Sequence, residues 1–150
     1  MANFYGSARS NYFQVKNAQA FKGWVQTVPG LGLWETDQSQ LDGTKTEEER
    51  TLLAHNFGIY ADDANSGGWP SMIEDEEGGF QDIDLIAALS PHLADGEVAV
   101  LVECGAEKLR YICGNAVAFD NTGKVVQVNL DDIYTKAFQA FGVKPNDATY

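Results

Sequence analysis

The sequence predicts an α+β fold in which two or three helices pack on one face of a mostly antiparallel sheet of about four to six strands. Two observations favour this class. Residues 97–130 resemble three consecutive strands, and several other segments place apolar residues at helical spacing. A chain of 150 residues, 44% of them hydrophobic, is long enough to bury one core. We therefore expect a single domain over residues 1–150.

The C-terminal three-strand meander is the clearest part of this prediction. Its strands are expected at residues 97–103, 109–119 and 125–130. The first is rich in valine and alternates, so its valines share one face. Gly123 suits a hairpin loop that needs a positive φ angle, and Gly114-Asn115 predicts a bulge in the middle strand.

A helix is expected directly after the meander, over residues 131–141. Asp131 and Asp132 lie in its first turn, where negative charge suits the helix dipole. Apolar residues form one stripe along it: Ile133, Tyr134, Ala137, Phe138 and Phe141. Gly142 predicts the helix end.

The N-terminal part predicts a β-α-β unit. Residues 11–16 are expected to form the first strand, and residues 31–35 the second. Between them, Asn17 suits the N-cap of an amphipathic helix that ends at Pro29-Gly30.

The middle of the chain gives weaker patterns. Residues 46–49 fit a capping box, and residues 55–60 favour a strand over a helix. Residues 62–79 are rich in Gly, Asp and Glu and predict a loop. Residues 80–89 predict an amphipathic helix, after which Pro91 either ends the helix or belongs to one further turn.

Cys104 and Cys113 are the two cysteines. In the predicted meander, residue 113 pairs near residue 99, which separates the two thiols by roughly 15 Å at about 3.3 Å per residue. A disulfide needs Cα atoms within about 7 Å. We therefore expect two free thiols, mostly buried in apolar strands.

The net charge of −12 lies entirely in one third of the chain. Residues 35–84 contain 14 acidic and two basic residues, whereas the remainder contains eight of each. A concentrated negative field repels nucleic acid and attracts basic surfaces. Direct nucleic-acid binding is therefore not expected, and a basic protein surface is the expected partner. The plainer alternative is that the acidity only serves solubility.

Catalytic and metal motifs are weak or missing. No zinc-protease, nucleophile-elbow, phosphate-loop or dinucleotide fingerprint occurs, so we expect a protein that is not an enzyme and has no cofactor. Residues 63–74 partly match a calcium loop, but Gly67 offers no side-chain oxygen at its fifth position, so no metal site is expected. The sequence begins without a signal-peptide pattern and has no apolar stretch of about 20 residues, which predicts a cytoplasmic protein without a membrane span.

A compact α+β chain with an acidic middle and no catalytic motif resembles the small anti-defence proteins of phages and mobile elements, such as anti-CRISPR and anti-restriction inhibitors. The resemblance is one of size, acidity and missing motifs. It implies inhibition by occupation, in which carboxylates cover a basic groove that a defence complex uses for DNA. The residues expected to bind the partner are Glu47, Glu48, Glu49, Asp62, Asp63, Trp69, Glu74, Asp75, Glu76 and Glu77.

Three functions therefore remain open. The first is a non-catalytic inhibitor or adaptor that docks on a basic protein surface. The second is an interaction or small-ligand module whose acidity is only solubilising. The third is an enzyme with an unrecognised site.

Overall fold

The computed structural model describes residues 4–36, 43–44, 46–48, 56–62, 68–107 and 111–146. The elements with described bounds are β1 (Phe4–Ser10), α1 (Ala18–Thr27), β2 (Leu31–Glu35), β3 (Phe57–Ala61), β4 (Met72–Glu74), β5 (Phe80–Asp82), α2 (Leu85–Leu89), a 3₁₀ turn (Ser90–His92), β6 (Val98–Glu107), β7 (Tyr111–Asp120), β8 (Val125–Asn129) and α3 (Asp132–Phe141). No helix in the described part of the chain is both long and apolar enough to cross a membrane.

Six strands form one antiparallel sheet in the order β2-β3-β1-β6-β7-β8, and β4 and β5 form a separate two-stranded sheet. The predicted α+β class is confirmed. The predicted meander is confirmed as β6-β7-β8, with Gly123 in its loop at a φ of 82°.

The predicted β-α-β unit is present, but its first strand lies earlier than predicted. Strands β1 and β2 run parallel with the antiparallel β3 between them, and α1 connects them. The strand expected at residues 11–16 is wrong. The Asn11 side chain interrupts it, since its Oδ1 accepts from Val100 N–H at 2.8 Å and its Nδ2 donates to the carbonyl of Val98 at 3.0 Å. Between Asn11 and the start of α1, the chain makes only isolated β-bridges, at Phe13 and Val15.

Alternation along the strands gives the large sheet two unlike faces. We call the face that packs on α1 and α2 the helix-side face, and the other the open face. Ala99 and Leu101 are buried on the helix-side face, together with Phe119 from β7. The residues at even positions of β6 lie on the open face, where Val98 and Val102 are exposed and Val100 is half-buried.

Aromatic rings fill the core below the helix-side face. Phe21 of α1 lies fully buried at its centre, with ring centroids 5.7 Å from Phe13 and 5.5 Å from Phe57. Trp24 and His92 close one side of this cluster, with ring centroids 5.2 Å apart in a stacked arrangement. Asn17 caps α1 as predicted, because its Oδ1 accepts from Ala20 N–H at 2.9 Å.

Burial lowers the pKa of the His92 imidazole, because desolvation disfavours its charged form. Above a pH of about 6.5, His92 is neutral in both the folded and the unfolded protein. The free energy of unfolding therefore does not depend on this group in that pH range. Below that pH the unfolded state takes up the proton first. We expect the free energy of unfolding to fall as the pH drops, until folded His92 also protonates.

Urea unfolding at several pH values between about 7.5 and 5.5 tests this expectation. The His92→Gln variant should show a smaller decrease in unfolding free energy than the wild type. An identical decrease in both proteins would contradict it.

Strands β6 and β7 pair residue for residue from Val98↔Asp120 to Glu107↔Tyr111, so the predicted bulge at Gly114-Asn115 is wrong. Gly114 serves packing instead. A Cβ atom there would lie 3.1 Å from the Leu130 side chain, so the missing side chain leaves room for Leu130.

Both cysteines are free, as predicted, but both are exposed, so the prediction of buried thiols is wrong. The predicted spacing is also wrong, because Cys113 pairs with Gly105 and Cys104 pairs with Gly114. The two residues are therefore close along the hairpin. Since neighbouring positions of a strand point to opposite faces, Cys104 lies on the open face and Cys113 on the helix-side face. Their orientation rather than their distance disfavours a disulfide.

The middle of the chain departs most from prediction. The strand expected at residues 55–60 is confirmed as β3, while residues 49–55 of that region lie outside the described part. Strand β4 falls in the predicted loop, and the helix expected over residues 80–89 begins only at Leu85. Asp84 explains this late start, since its Oδ1 accepts from Ala87 N–H at 2.9 Å and caps the helix there. The further turn at Pro91 is confirmed as the 3₁₀ turn.

The C-terminal helix α3 is confirmed, and Gly142 ends it with a φ of 72° and an N–H bond to the Phe138 carbonyl. Unlike α1 and α2, α3 buries none of its residues. Helices α1 and α2 therefore pack on the sheet, whereas the apolar stripe of α3 is left largely exposed.

Candidate protein-binding site

The β4–β5 hairpin and the chain that follows it form the most acidic described segment. Residues 72–84 contain six acidic residues and no basic residue. The acidic residues are Glu74, Asp75, Glu76, Glu77, Asp82 and Asp84. Four of them are consecutive and occupy the end of β4 and the turn, so their charge is concentrated at one tip.

The hydrogen bonds of Asp75 hold the turn at this tip. Its Oδ1 accepts hydrogen bonds from the N–H groups of Glu77 at 3.0 Å and Gly79 at 2.7 Å, and its own N–H donates to the Gly79 carbonyl at 2.8 Å. This is the local capping that short acidic side chains favour in turns. Glu76 and Glu77 are exposed beside it, so they can approach a partner without disturbing the turn.

One face of the hairpin combines apolar and acidic side chains. Met72 pairs with Asp82, and Phe80 lies two residues before Asp82, so all three share this face. The Phe80 side chain is 76% exposed and Met72 is 56% exposed. A large aromatic ring held open to solvent on a short strand, between carboxylates, is suited to contact another protein.

The ion pairs between described side chains lie outside the hairpin. Lys22 Nζ lies 2.6 Å from Glu35, and Lys16 Nζ lies 3.8 Å from Asp95. Neither pair involves residues 72–84.

The other predicted binding residues are not part of the β4–β5 hairpin. Asp62 follows β3, whereas Glu35 pairs with Phe57 at the opposite end of the β2–β3 ladder. Glu47 and Glu48 are exposed and helical. Glu49 and Asp63 lie outside the described residues. Within the hairpin, Asp75, Glu76 and Glu77 follow one another in the turn after β4, and their exposed carboxylates form one group.

The sequence interleaves five aromatic residues with the acidic ones, and the structure places them differently. They are Trp34, Phe57, Tyr60, Trp69 and Phe80. Trp69 is half-buried and packs against the core, with its indole N–H buried and without a partner among the described residues. Phe57 is a core residue. Trp34 and Tyr60 stack with ring centroids 4.5 Å apart on the open face. Phe80 is the aromatic residue that the structure brings next to the acidic tip.

Met72 was missed as a site residue, and Trp69 rather than Phe80 was chosen as the expected anchor, because the sequence predicted a loop and a helix around them. The sequence does contain the pattern of a β-hairpin, but its strands are short. Each strand of the hairpin has only three residues, and Gly78-Gly79 lies between them. Such a pair of short segments around glycine is typical of a hairpin.

A cavity of about 270 Å³ lies at the β7–β8 end of the helix-side face. Its lining includes Ile86, Asn115, Val117, Gln127 and Asn129. Amides and aliphatic groups can hold a small polar molecule, but the described lining residues include no acid, base or nucleophile. The cavity is also at the low end of typical ligand pockets.

No group of three or more His, Cys, Asp or Glu side chains in the described part of the chain could hold a metal ion. Asp63 and Asn65, which supply the first ligands of the calcium-loop pattern, fall outside that part.

Comparison with protein-family models, with curated proteins and with solved structures gives no match to this chain.

Proposed function

We propose that this protein is a non-catalytic inhibitor or adaptor that binds a basic surface of another protein through the β4–β5 hairpin. The observation that carries the proposal is the Phe80 side chain, 76% exposed beside an acidic tip. Strand β4, which pairs with the strand of Phe80, adds Met72, which is 56% exposed.

Charge and apolar area have different roles in this proposal. Exposed carboxylates raise the association rate with a basic partner, and salt weakens their effect. A buried aromatic anchor supplies most of the affinity, because hot-spot residues cost about 2 kcal/mol or more when truncated. The hairpin offers both within a few residues.

A basic surface of this kind is typical of proteins that bind nucleic acid. The proposed partner is therefore a nucleic-acid-binding protein, and a defence complex of the host is the candidate that the resemblance to anti-defence proteins suggests. By occupying its groove, the hairpin would compete with phosphates for the same cationic side chains.

Charge reversal tests the hairpin. The protein is used as bait in a bacterial lysate, and the affinity for the captured partner is then measured at low and high salt. The Glu76→Lys/Glu77→Lys variant should bind on the order of tenfold more weakly at low salt, and the difference should shrink at high salt. Asp75 is left unchanged because it holds the turn.

The matched control is Glu48→Lys/Asp62→Lys, which makes the same charge change at exposed residues outside the hairpin. It should bind within a few-fold of the wild type. Equal losses in both variants would show that total charge, not the hairpin, determines binding. In a third arm, Phe80→Ala should weaken binding at every salt concentration, and unchanged binding would contradict the role of Phe80 as anchor.

A further inference from the structure

The open face of the sheet is apolar and uncovered at its β6-β7-β8 end. Five aliphatic side chains on this face are between 42% and 72% exposed. They are Val98, Val102, Ile112, Val126 and Val128. Among the described residues, no helix packs on them, whereas the opposite face of the same sheet is covered by α1 and α2.

The helix α3 is a second uncovered apolar surface, and it adjoins the first. Leu130 packs on Gly114 of the open face and leads directly into the helix. Ile133 is 60% exposed, Phe138 55% and Phe141 79%. A ten-residue helix without buried residues is marginal in water, because most helical stability comes from packing of the apolar stripe.

Together these surfaces are large enough for a stable interface. The set consists of the five open-face residues together with Leu130, Ile133, Phe138, Phe141 and Val143. At roughly 150–200 Å² for a fully exposed side chain, it presents on the order of 1,000 Å² of apolar surface. A typical protein–protein interface buries about 800 Å² on each partner, and the largest patch on a typical monomer is about 300–600 Å².

Charge favours a second copy of the chain over a charged partner. Residues 97–146 contain six acidic and five basic residues, so this end is nearly neutral. A nearly neutral surface does not raise the association rate with a charged partner. The net charge of −12 of each copy comes from residues 35–84, so the residues of this end add little repulsion between two copies.

We propose that the protein forms a symmetric homodimer in which α3 of each copy packs on the open face of the other. The two surfaces belong to one chain and are alike in chemistry, so each copy supplies both halves of the contact and the assembly closes as a dimer. Packing on the partner would also give α3 the buried apolar contacts that it lacks within one chain. This inference does not depend on the proposed function of the hairpin.

Light scattering across a dilution series tests the dimer. The wild type should show twice the mass of the 16.4 kDa chain at high concentration and dissociate on dilution. Ile112→Asp on the open face and Phe141→Asp on α3 should each raise the midpoint of dissociation by about tenfold or more, since each places a charge in the interface. Phe80→Asp is the control, because Phe80 on the hairpin is about as exposed as Phe141. This variant should leave the midpoint of dimer dissociation unchanged. A wild type that is monomeric at all concentrations would overturn the proposal.

Thiol alkylation followed by mass spectrometry locates the interface. Cys104 lies on the open face and Cys113 on the helix-side face, and both are exposed in one copy. Cys104 should react more slowly at dimer-forming concentrations and recover its rate in Phe141→Asp, whereas the rate of Cys113 should change little. If Cys113 is the protected thiol, or if Phe80→Asp dissociates the dimer, the interface lies elsewhere and the proposal is wrong.

Discussion

Replacement of Phe21 by alanine is expected to lower the free energy of unfolding by about 3–5 kcal/mol, the usual cost of truncating a fully buried aromatic residue. Phe21 is 0% exposed and is surrounded by aromatic rings. Its ring centroid lies within 6 Å of those of Phe13, Trp24, Phe57 and His92. Alanine would leave a cavity at the point where α1 meets the sheet, and few domains have the stability to tolerate it.

Urea unfolding followed by tryptophan fluorescence measures this loss at a fixed protein concentration. Phe80→Ala is the matched control, because it deletes the same side chain at a position that is 76% exposed. Its unfolding free energy should stay within about 0.5 kcal/mol of the wild type. Similar losses at both positions would contradict the placement of Phe21 at the centre of the core.

Replacement of Ala99 by aspartate is expected to destabilise the fold by about 3–5 kcal/mol, because it buries a carboxylate without a partner. Ala99 is 0% exposed and lies opposite the buried Phe119. The adjacent Val98→Asp serves as the control, since Val98 is 47% exposed on the open face. That variant should lose little stability within one copy, although it places a charge in the proposed dimer interface.

The comparison of these two adjacent variants tests the register of the sheet, because a slip of one residue exchanges the two faces. Thermal unfolding of Val98→Asp and Ala99→Asp, together with circular dichroism of the folded state, distinguishes them. If Val98→Asp were the more destabilised of the two, β6 would have the opposite orientation.

The meander, α1 and α3 could be predicted from sequence because each depends on a local pattern. Asn17 and Gly142 mark helix ends through bonds within a few residues, and Gly123 marks a tight loop. Such signals need no knowledge of distant partners.

The failures depend on contacts that a local pattern does not contain. Strand β1 is recognised through its pairing with β6, and Asn11 ends it by bonding to residues almost ninety positions away. The pairing of Cys113 was misplaced because β6 extends to Glu107, beyond the strand end expected at residue 103. The three-residue strands of the hairpin are too short for an alternation to be distinguished from a loop.

The acidity of the candidate site could be counted from the sequence, but its distribution in space could not. Counting assigned equal weight to all carboxylates of the middle segment, whereas the fold separates Asp62 and Glu35 at opposite ends of one strand pair. In the same way, the valine alternation of β6 predicted two faces without indicating that only one of them would be covered.

The position of β1 has a consequence for synthesis in the cell. Strand β1 lies in the middle of the sheet, yet its neighbour β6 begins only at Val98, so the pair cannot form until β6 has been synthesised. Such late closure gives a high contact order, which slows folding and prolongs the exposure of nascent strand edges. The growing chain is therefore expected to rely on ribosome-associated chaperones until β6 has emerged.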